Sequence, residues 1–308
     1  MKAWIPHKSG IPLLGELPPS VTVEVADDAA QLPSDPSGVE FWLPTFIGQP
    51  SNAALLPRLH DLRVIQLPSA GADAWIRVLP PTVTLCDARS VHDSSTAEWV
   101  VGAILAQLRR FPALVRAQQR HEWAHREVAP TDELYGKRVL IVGAGSIGTA
   151  VAARLAPFGV TLTLAARTAR PEENVHAVTE LPRLLPEADI VILLVPLTEQ
   201  TRGLIDARFL AAMPDGALLV NASRGPVADP EALYAELATG RIQAALDVTE
   251  PEPLPADDPL WGLPNVLITP HVGAMVHGLM ARVYRLAGDQ LRRHVAGEPL
   301  LNQVVNGY

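Results

Sequence analysis

The stretch Arg138-Val139-Leu140-Ile141-Val142-Gly143-Ala144-Gly145-Ser146-Ile147-Gly148 decides the fold. An apolar run that predicts a buried β-strand leads into three glycines in the pattern G-x-G-x-x-G, and helix-forming residues follow. A glycine turn in this setting lets the pyrophosphate of a dinucleotide approach the backbone and the helix N-terminus. The alternative is a glycine turn that binds nothing. The contacts predicted for a dinucleotide are Gly143, Gly145, Ser146, Ile147 and Gly148.

Apolar strands and helices alternate along the rest of this region. Helices are predicted near Asp206–Met213 and Pro230–Ala238, and this alternation is typical of a parallel sheet covered on both faces. The predicted strands are Arg138–Val142, Val160–Ala165, Ile190–Val195, Ala217–Asn221, Gln243–Val248 and Asn265–Thr269. We predict a doubly wound Rossmann domain over residues 92–274, with ligands beyond the carboxyl ends of its strands.

Residues 1–91 show a second, smaller α/β pattern. Asn52–His60 carries a helical signal between short apolar runs. The strands predicted here are Val21–Val25, Val39–Leu43, Arg63–Leu67 and Thr82–Cys86. We predict a flavodoxin-like domain with a mostly parallel sheet, completed by a returning C-terminal segment over residues 275–308.

A long helix is predicted from about Ser95 to Arg120. Ser95 and Glu98 have the spacing of a capping box, and good helix formers follow. The apolar positions of this helix are broad enough to be buried on more than one side: Trp99, Val100, Ala103, Ile104 and Leu108. We expect the helix to join the two domains and to pair with a second subunit, which predicts a homodimer.

The composition excludes several classes of protein. The 308 residues suggest two domains at roughly 150 residues each, and the 48% apolar content excludes a disordered chain. A net charge of -8 argues against a general nucleic-acid binder. Uncharged stretches such as Ile190–Thr198 are too short to span a bilayer, and no signal peptide is recognised. The single cysteine, Cys86, excludes an intrachain disulfide and a cysteine-based metal cluster, so we expect a cytoplasmic protein without a metal.

The end of the second strand of the Rossmann pattern bears on the choice of dinucleotide. An NAD enzyme usually carries an acidic residue here, which accepts hydrogen bonds from the adenosine ribose. This sequence has Ala166 at that place, followed by Arg167, Thr168 and Arg170. Two guanidinium groups without a carboxylate favour the 2′-phosphate of NADP. The alternative is that both arginines are solvated loop residues.

Arg224, Glu252 and His271 each follow a different predicted strand of the same sheet. Alone, each has a simpler explanation, such as a surface arginine or a structural histidine. The carboxyl ends of parallel strands meet at one edge, so the three side chains are expected to converge beside the dinucleotide. We predict that they form a catalytic site.

The chain resembles the D-2-hydroxyacid dehydrogenase family, which includes glyoxylate/hydroxypyruvate reductases, phosphoglycerate dehydrogenase, formate dehydrogenase and the C-terminal-binding corepressors. The resemblance covers most of the chain and is sharpest from Ser95 to Ala274. Pro68–Asp73 resembles the loop that binds the substrate carboxylate in this family. The other matching motifs are Thr96–Glu98, Leu134–Val139, the glycine loop, Val195–Thr198, Asn221–Gly225, Leu246–Val248 with Glu250-Pro251, and Thr269–His271.

The resemblance implies roles for individual residues. Arg224 would bind the carboxylate and carbonyl oxygen of the substrate, and His271 would be the general acid in reduction and the base in oxidation. Glu252 would pair with His271 and stabilise its protonated form. The backbone amides of Ala70 and Gly71 would hold the substrate carboxylate. Asp247 would hold the nicotinamide carboxamide. The other implied cofactor contacts outside the glycine loop and the arginine loop are Pro196, Ala222, Ser223, His271 and Gly273.

His92 stands where the family often has an asparagine that faces the substrate, which leaves the substrate open. No C-terminal regulatory domain is recognised, which argues against a regulated phosphoglycerate dehydrogenase. We predict reduction of a small 2-keto acid, typically glyoxylate or hydroxypyruvate, with NADP(H), and with NAD as the weaker cofactor. The alternatives are a relative acting on phosphoglycerate, formate or phosphite, and a dinucleotide-sensing protein similar to the corepressors.

Overall fold

The structure is a computed structural model that describes residues 1–27, 32–46 and 54–305. The chain divides into two compact units, one formed by Met1–His92 with Val276–Tyr308 and the other by Asp93–Met275. Each unit is built on its own parallel β-sheet. The assignment of one unit to the substrate and the other to the cofactor stays a prediction.

The sheet of the first unit has five parallel strands in the order β2-β1-β3-β4-β5. This is the order of the flavodoxin-like fold, as the sequence predicted. The strands are β1 (Lys2–Ile5), β2 (Thr22–Val25), β3 (Val39–Trp42), β4 (Val64–Gln66) and β5 (Thr84–Cys86). Strand β1 was missed, because four residues at the chain start give little periodicity, yet Trp4 and Ile5 are fully buried.

The sheet of the second unit has seven parallel strands in the order β12-β11-β10-β9-β6-β7-β8. The chain starts in the middle at β6, moves to one edge, then crosses back to β9, as in the doubly wound fold that the sequence predicted. The strands are β6 (Arg138–Val142), β7 (Thr161–Ala166), β8 (Val175–Ala177), β9 (Ile190–Leu193), β10 (Leu218–Asn221), β11 (Gln243–Leu246) and β12 (Val266–Ile268). The three-residue β8 was not predicted.

The helices cover these sheets. They are α1 (Asp73–Ile76), α2 (Asp93–Leu108), α3 (Phe111–Gln119), α4 (His125–Val128), α5 (Ser146–Leu155), α6 (Leu181–Leu184), α7 (Ala207–Ala212), α8 (Pro230–Ala238) and α9 (Leu279–Ala296). No helix of the described residues is long and apolar enough to cross a membrane.

The prediction of one long helix from Ser95 to Arg120 was wrong. Helix α2 ends at Leu108, and Arg110, with φ 54°, turns the chain into α3. Pro112 explains the break, because its ring would clash with the carbonyl of Leu108 in a continuous helix. Pro112 is instead tolerated in the first turn of α3.

The predicted capping box at the start of that helix was also wrong. Helix α2 begins at Asp93, so Ser95 is a buried residue within its first turn. Glu98 Oε1 accepts a hydrogen bond from the Ser94 hydroxyl at 3.1 Å and lies 3.8 Å from Arg154 Nη2. Side chains four residues apart on a helix are neighbours, so the hydrogen bond between Ser94 and Glu98 forms within the helix and not at its N-cap.

The predicted helix Asn52–His60 lies partly outside the described residues. Over residues 54–60, the described part of this prediction, the structure has one 3₁₀ turn, Leu56–Arg58, and no α-helix. Pro57 lies in that turn and removes a backbone donor that a longer helix would need.

Helix α9 packs against the 3₁₀ helix Lys8–Leu14 in the first unit. Its buried residues Leu279, Val283 and Leu291 share a core cluster with the first sheet. A Cβ atom at Gly288 would lie 1.9 Å from the carbonyl oxygen of Leu14, so glycine is required for this close packing.

We predict that Gly288→Ala lowers the melting temperature, because the added methyl must push α9 off the Leu14 backbone at a cost of about 1–3 kcal/mol. Gly102→Ala is the matched control. Gly102 is also helical, but no atom lies within 4 Å of its added Cβ. That change should leave the melting temperature unchanged or raise it, because it can add up to about 1 kcal/mol to the free energy of unfolding. Thermal unfolding followed by circular dichroism measures both, and equal effects would contradict the packing argument.

Candidate active site

The glycine loop between β6 and α5 uses its three glycines differently. Gly143 has φ +118°, and a Cβ there would lie 2.5 Å from the carbonyl oxygen of Leu194. A Cβ at Gly148 would lie 2.0 Å from the carbonyl oxygen of Gly143. The chain itself therefore requires these two glycines. Around Gly145 no atom lies within 4 Å of an added Cβ, so that glycine leaves open space beside the loop.

Helix α5 begins immediately after this open space. The first backbone N–H groups of a helix have no acceptor within it, and the helix dipole favours an anion there. The Ser146 hydroxyl donates to Asp93 Oδ1 at 3.0 Å, so Ser146 offers a ligand its backbone amide. The open space at Gly145 and these donors fit the pyrophosphate of a dinucleotide.

The loop after β7 carries the residues predicted to select the cofactor. Ala166 ends the strand, and Arg167 and Thr168 follow it as exposed residues. Arg170 is half-buried, and its guanidinium donates to the carbonyl oxygen of Ala144 at 2.9 Å and to Glu173 Oε2 at 2.8 Å. The two arginines predicted together thus have different surroundings.

The turn after β10 holds Arg224. Asn221 Oδ1 accepts hydrogen bonds from the amide and hydroxyl of Ser223, at 3.1 and 2.6 Å, and Asn221 Nδ2 donates to the carbonyl oxygen of Arg224 at 3.3 Å. The Arg224 guanidinium donates back to the carbonyl oxygen of Ser223 at 2.7 Å. A Cβ at Gly225 would lie 1.8 Å from the carbonyl oxygen of Thr249, so the Arg224 turn packs directly on the loop after β11.

Asp247, at the end of β11, fixes the loop after β12. Its buried carboxylate accepts hydrogen bonds from the Thr269 hydroxyl at 2.5 Å, the Val272 amide at 2.9 Å and the Gly273 amide at 2.8 Å. A Cβ at Gly273 would lie 2.7 Å from Asp247 Oδ2, so glycine is needed there. Two carboxylate oxygens offer about four acceptor positions, so one position remains for a ligand.

His271 and Glu252 form a pair across these loops. Glu252 Oε1 lies 2.6 Å from His271 Nδ1, and the His271 amide donates to the carbonyl oxygen of Asp247 at 2.7 Å. His271 has φ +54°, a left-handed conformation that histidine adopts more readily than most residues. With Nδ1 bound to the carboxylate, Nε2 is the ring atom left for proton exchange with a ligand, and both side chains keep about two-fifths of their surface exposed.

The structure thus brings Glu252, Asp247, His271 and Gly273 together, with the Arg224 turn packed on the same loop system. Pro196, at the end of β9, is exposed, and its carbonyl oxygen accepts from the Thr201 hydroxyl at 2.6 Å. The Ala222 amide donates to the carbonyl oxygen of Leu193 at 3.2 Å, which ties the Arg224 turn to the end of β9.

Two predicted substrate contacts lie in the loop after β4 of the first unit. Ala70 and Gly71 are half-buried there, and the Ser69 hydroxyl donates to the carbonyl oxygen of Gly71 at 2.8 Å. His92 is only 4% exposed, and its Nε2 lies 2.9 Å from the carbonyl oxygen of Pro68. A carbonyl only accepts, so Nε2 carries the proton and His92 fixes this loop.

Sequence reasoning missed two contributors to the site. Thr269 lies in the quoted Thr-Pro-His motif, and a hydroxyl two residues before the histidine was the signal for its bond to Asp247. Asp93 carried no signal, because its contact with Ser146 joins residues 53 positions apart. Burial raises the pKa of the Cys86 thiol to about 12, so it is not a nucleophile at neutral pH. Among the described residues no group of three His, Cys, Asp or Glu side chains could hold a metal ion.

Comparison with known proteins identifies the family of this chain. The family model for the D-isomer specific 2-hydroxyacid dehydrogenase NAD-binding domain matches residues 101–273. The chain is 37% identical over 251 residues to glyoxylate/hydroxypyruvate reductase B of Citrobacter koseri, covering 78% of this chain and 77% of that enzyme. It is 34% identical over 257 residues to the human glyoxylate reductase/hydroxypyruvate reductase, covering 79% and 77% of the two chains.

A solved structure agrees over the whole chain. It is a D-isomer specific 2-hydroxyacid dehydrogenase of Xanthobacter autotrophicus in complex with NADPH and MES, with a TM-score of 0.84, 32% identity, and coverage of 100% of this chain and 99% of that one. The family model spans more than half of the 308 residues, and the predicted resemblance is confirmed. The chain belongs to the D-isomer specific 2-hydroxyacid dehydrogenase family.

Proposed function

We propose that this protein reduces a small 2-keto acid, glyoxylate or hydroxypyruvate, to the D-2-hydroxy acid with NADPH. The observation that carries the proposal is the 2.6 Å pair of His271 and Glu252, on a loop that the Asp247 carboxylate fixes. This pair lies at the carboxyl edge of the same parallel sheet as the glycine loop. A proton donor near a dinucleotide site is what reduction of a carbonyl requires.

Each polar residue of the candidate site then has a role in the reaction. A dinucleotide held at the glycine loop would supply the hydride that reduction of a carbonyl requires. His271 donates a proton from Nε2 to the carbonyl oxygen, and Glu252 stabilises the imidazolium before that transfer. Arg224 stabilises the negative charge that develops on the oxygen and pairs with the substrate carboxylate. In the first unit, Ala70 and Gly71 stay candidate backbone donors to a carboxylate, as the family resemblance implies, and His92 holds their loop.

The cofactor contacts are proposed on the same basis. The glycine-loop residues and the N-terminus of α5 bind the pyrophosphate. Asp247, with one acceptor position left, holds the nicotinamide carboxamide, and Pro196, Ala222, Ser223 and Gly273 line the nicotinamide end. At the adenosine end, Ala166 brings no negative charge against a 2′-phosphate, and the exposed Arg167 and Thr168 offer donors to it.

The relatives support NADPH as the reductant. One solved relative of 27% identity and TM-score 0.84, covering 100% of this chain and 98% of that one, is an NADPH-dependent glyoxylate/hydroxypyruvate reductase of Sinorhizobium meliloti in complex with NADP and sulfate. The rival functions are an enzyme of this family with phosphoglycerate, formate or phosphite as substrate, and a dinucleotide-sensing interaction protein. The Arg224, Glu252 and His271 set does not separate these, whereas turnover does.

The predicted homodimer is a further part of the proposal, but not through Val100, Ala103 and Ile104, which are buried within the chain itself. Helix α3 carries the exposed apolar residues Phe111, Leu114 and Val115 at helical spacing, and Trp123 beyond it is 94% exposed. Large apolar side chains exposed on one helix favour an interface, and a symmetric pair is the commonest assembly. We therefore propose a homodimer that covers this face, and we expect it in the cytoplasm.

For the catalytic residues, we predict that His271→Ala and Arg224→Ala each lower kcat/KM by about 10²–10⁴-fold while the protein still folds. Glu252→Gln should have a smaller effect and shift the pH profile, because the imidazole stays in place without its carboxylate. Steady-state rates over a pH series measure this, and circular dichroism checks the fold. Near-parental kcat/KM in His271→Ala would reject the assigned mechanism.

For substrate and cofactor, we predict turnover of glyoxylate or hydroxypyruvate in a panel of keto acids, with NADPH preferred roughly ten- to several-hundredfold. The preference should weaken as salt rises, because Arg167 is exposed. Ala166→Asp with Arg167→Ala should move it toward NADH by restoring a ribose acceptor. Initial rates with both cofactors test parent and double variant; a parent that prefers NADH refutes the interpretation of this loop, and no turnover at all favours the interaction protein.

For assembly, light scattering at micromolar concentration should give about twice the 33.1 kDa chain mass. Phe111→Glu with Val115→Glu should give monomers, because two charges would be buried in the interface. Val305→Glu, at an exposed apolar residue of the first unit, is the control and should stay dimeric. A monomeric parent would contradict the proposal.

A further inference from the structure

Arg170 is anchored at three places. Its main chain pairs with Val175, the first residue of β8, through two hydrogen bonds of 2.8 and 3.0 Å. Its Nη2 donates to the carbonyl oxygen of Ala144 at 2.9 Å, and its Nε donates to Glu173 Oε2 at 2.8 Å. The guanidinium therefore connects the loop after β7 to the middle of the glycine loop.

The contact with Ala144 fixes the orientation of one peptide group. The carbonyl of Ala144 and the amide of Gly145 belong to the same planar trans peptide, so they point in opposite directions. Since Arg170 holds the carbonyl oxygen toward the β7 loop, the Gly145 N–H is held pointing away from that loop. This peptide lies between Gly143, with φ +118°, and the start of α5, whose N-cap is Gly145.

The charge around Arg170 makes it a poor ligand for a phosphate. The carboxylate of Glu173 already pairs with the guanidinium and would repel a phosphate dianion placed on the same side chain. Arg167 is exposed and directly follows Ala166 at the end of β7. The two arginines of this loop are thus suited to different tasks.

We infer that Arg170 is a positioning residue for the glycine loop, which serves NADPH and NADH equally, and that it is not a ligand of the 2′-phosphate. The inference rests on the proposed NADP-linked function. Arg167 and Thr168 are then the residues that discriminate between NADPH and NADH. Arg170 acts instead on the amide that approaches the pyrophosphate, a group that both cofactors share.

The test is direct binding of NADPH and NADH, followed by cofactor fluorescence, with the intact protein and four variants. Arg170→Ala should weaken both cofactors by a similar factor of about ten, the size expected for one lost hydrogen bond from a charged donor. Arg170→Lys should recover part of the loss for both cofactors, because an ammonium can still donate to the Ala144 carbonyl. Arg167→Ala should weaken NADPH alone.

Glu173→Gln is the matched control. It removes the ion pair but leaves the bond from Arg170 to Ala144, so both dissociation constants should stay within about twofold of the parent values. In turnover, Arg170→Ala should raise KM for both cofactors more than it lowers kcat, because His271 and Arg224 are untouched. A general loss of structure would instead lower the melting temperature and kcat together.

The inference is overturned if Arg170→Ala weakens NADPH while NADH binding is unchanged, since Arg170 would then contact the 2′-phosphate. It is also overturned if neither cofactor responds to Arg170→Ala. If that variant does not fold, the inference is judged on Arg170→Lys, and it is overturned if that variant weakens NADPH while NADH binding is unchanged. A parent that binds neither cofactor refutes the proposed function itself, whereas a parent that prefers NADH refutes only the role of Arg167.

Discussion

The buried carboxylate of Asp247 is the group on which the site depends. A buried charge is costly unless donors surround it, and three donors from the turn Thr269–Gly273 do so. These bonds set the path of the chain after β12 and hold His271 at its positive φ, beside Glu252. The His271 side chain, although it lies on a loop, is thereby fixed beside the Glu252 carboxylate.

The parallel order of the second sheet makes this arrangement available. β10, β11 and β12 are neighbours and run in the same direction, so the Arg224 turn, Asp247 and His271 emerge at one edge. Gly225 then lets the Arg224 turn lie on the Thr249 backbone, and the Asn221 side chain closes that turn. Close backbone packing of this kind holds the loops of the second unit against one another, and it does so more than any single ion pair.

The fold class, and the positions of Arg224, Glu252 and His271 after strands of one sheet, were predictable from sequence because each depends on a local pattern. Strand–helix alternation and G-x-G-x-x-G after β6 predicted the doubly wound sheet, and Arg224, Glu252 and His271 each follow a strand. Contacts between distant residues were not predictable. Arg170 bonding to Ala144 and Asp93 bonding to Ser146 leave no local pattern, whereas the break at Pro112 was a local signal that was outweighed by the helix formers around it.

We expect this site to transfer hydride from NADPH and a proton to a 2-keto acid with the handedness of its family. Glyoxylate gives an achiral product, but hydroxypyruvate gives a chiral one. The enantiomer of glycerate formed from hydroxypyruvate and NADPH, measured by chiral chromatography, is therefore decisive. D-glycerate should form, whereas L-glycerate, a racemic product or the absence of reduction of any 2-keto acid would contradict the proposed function.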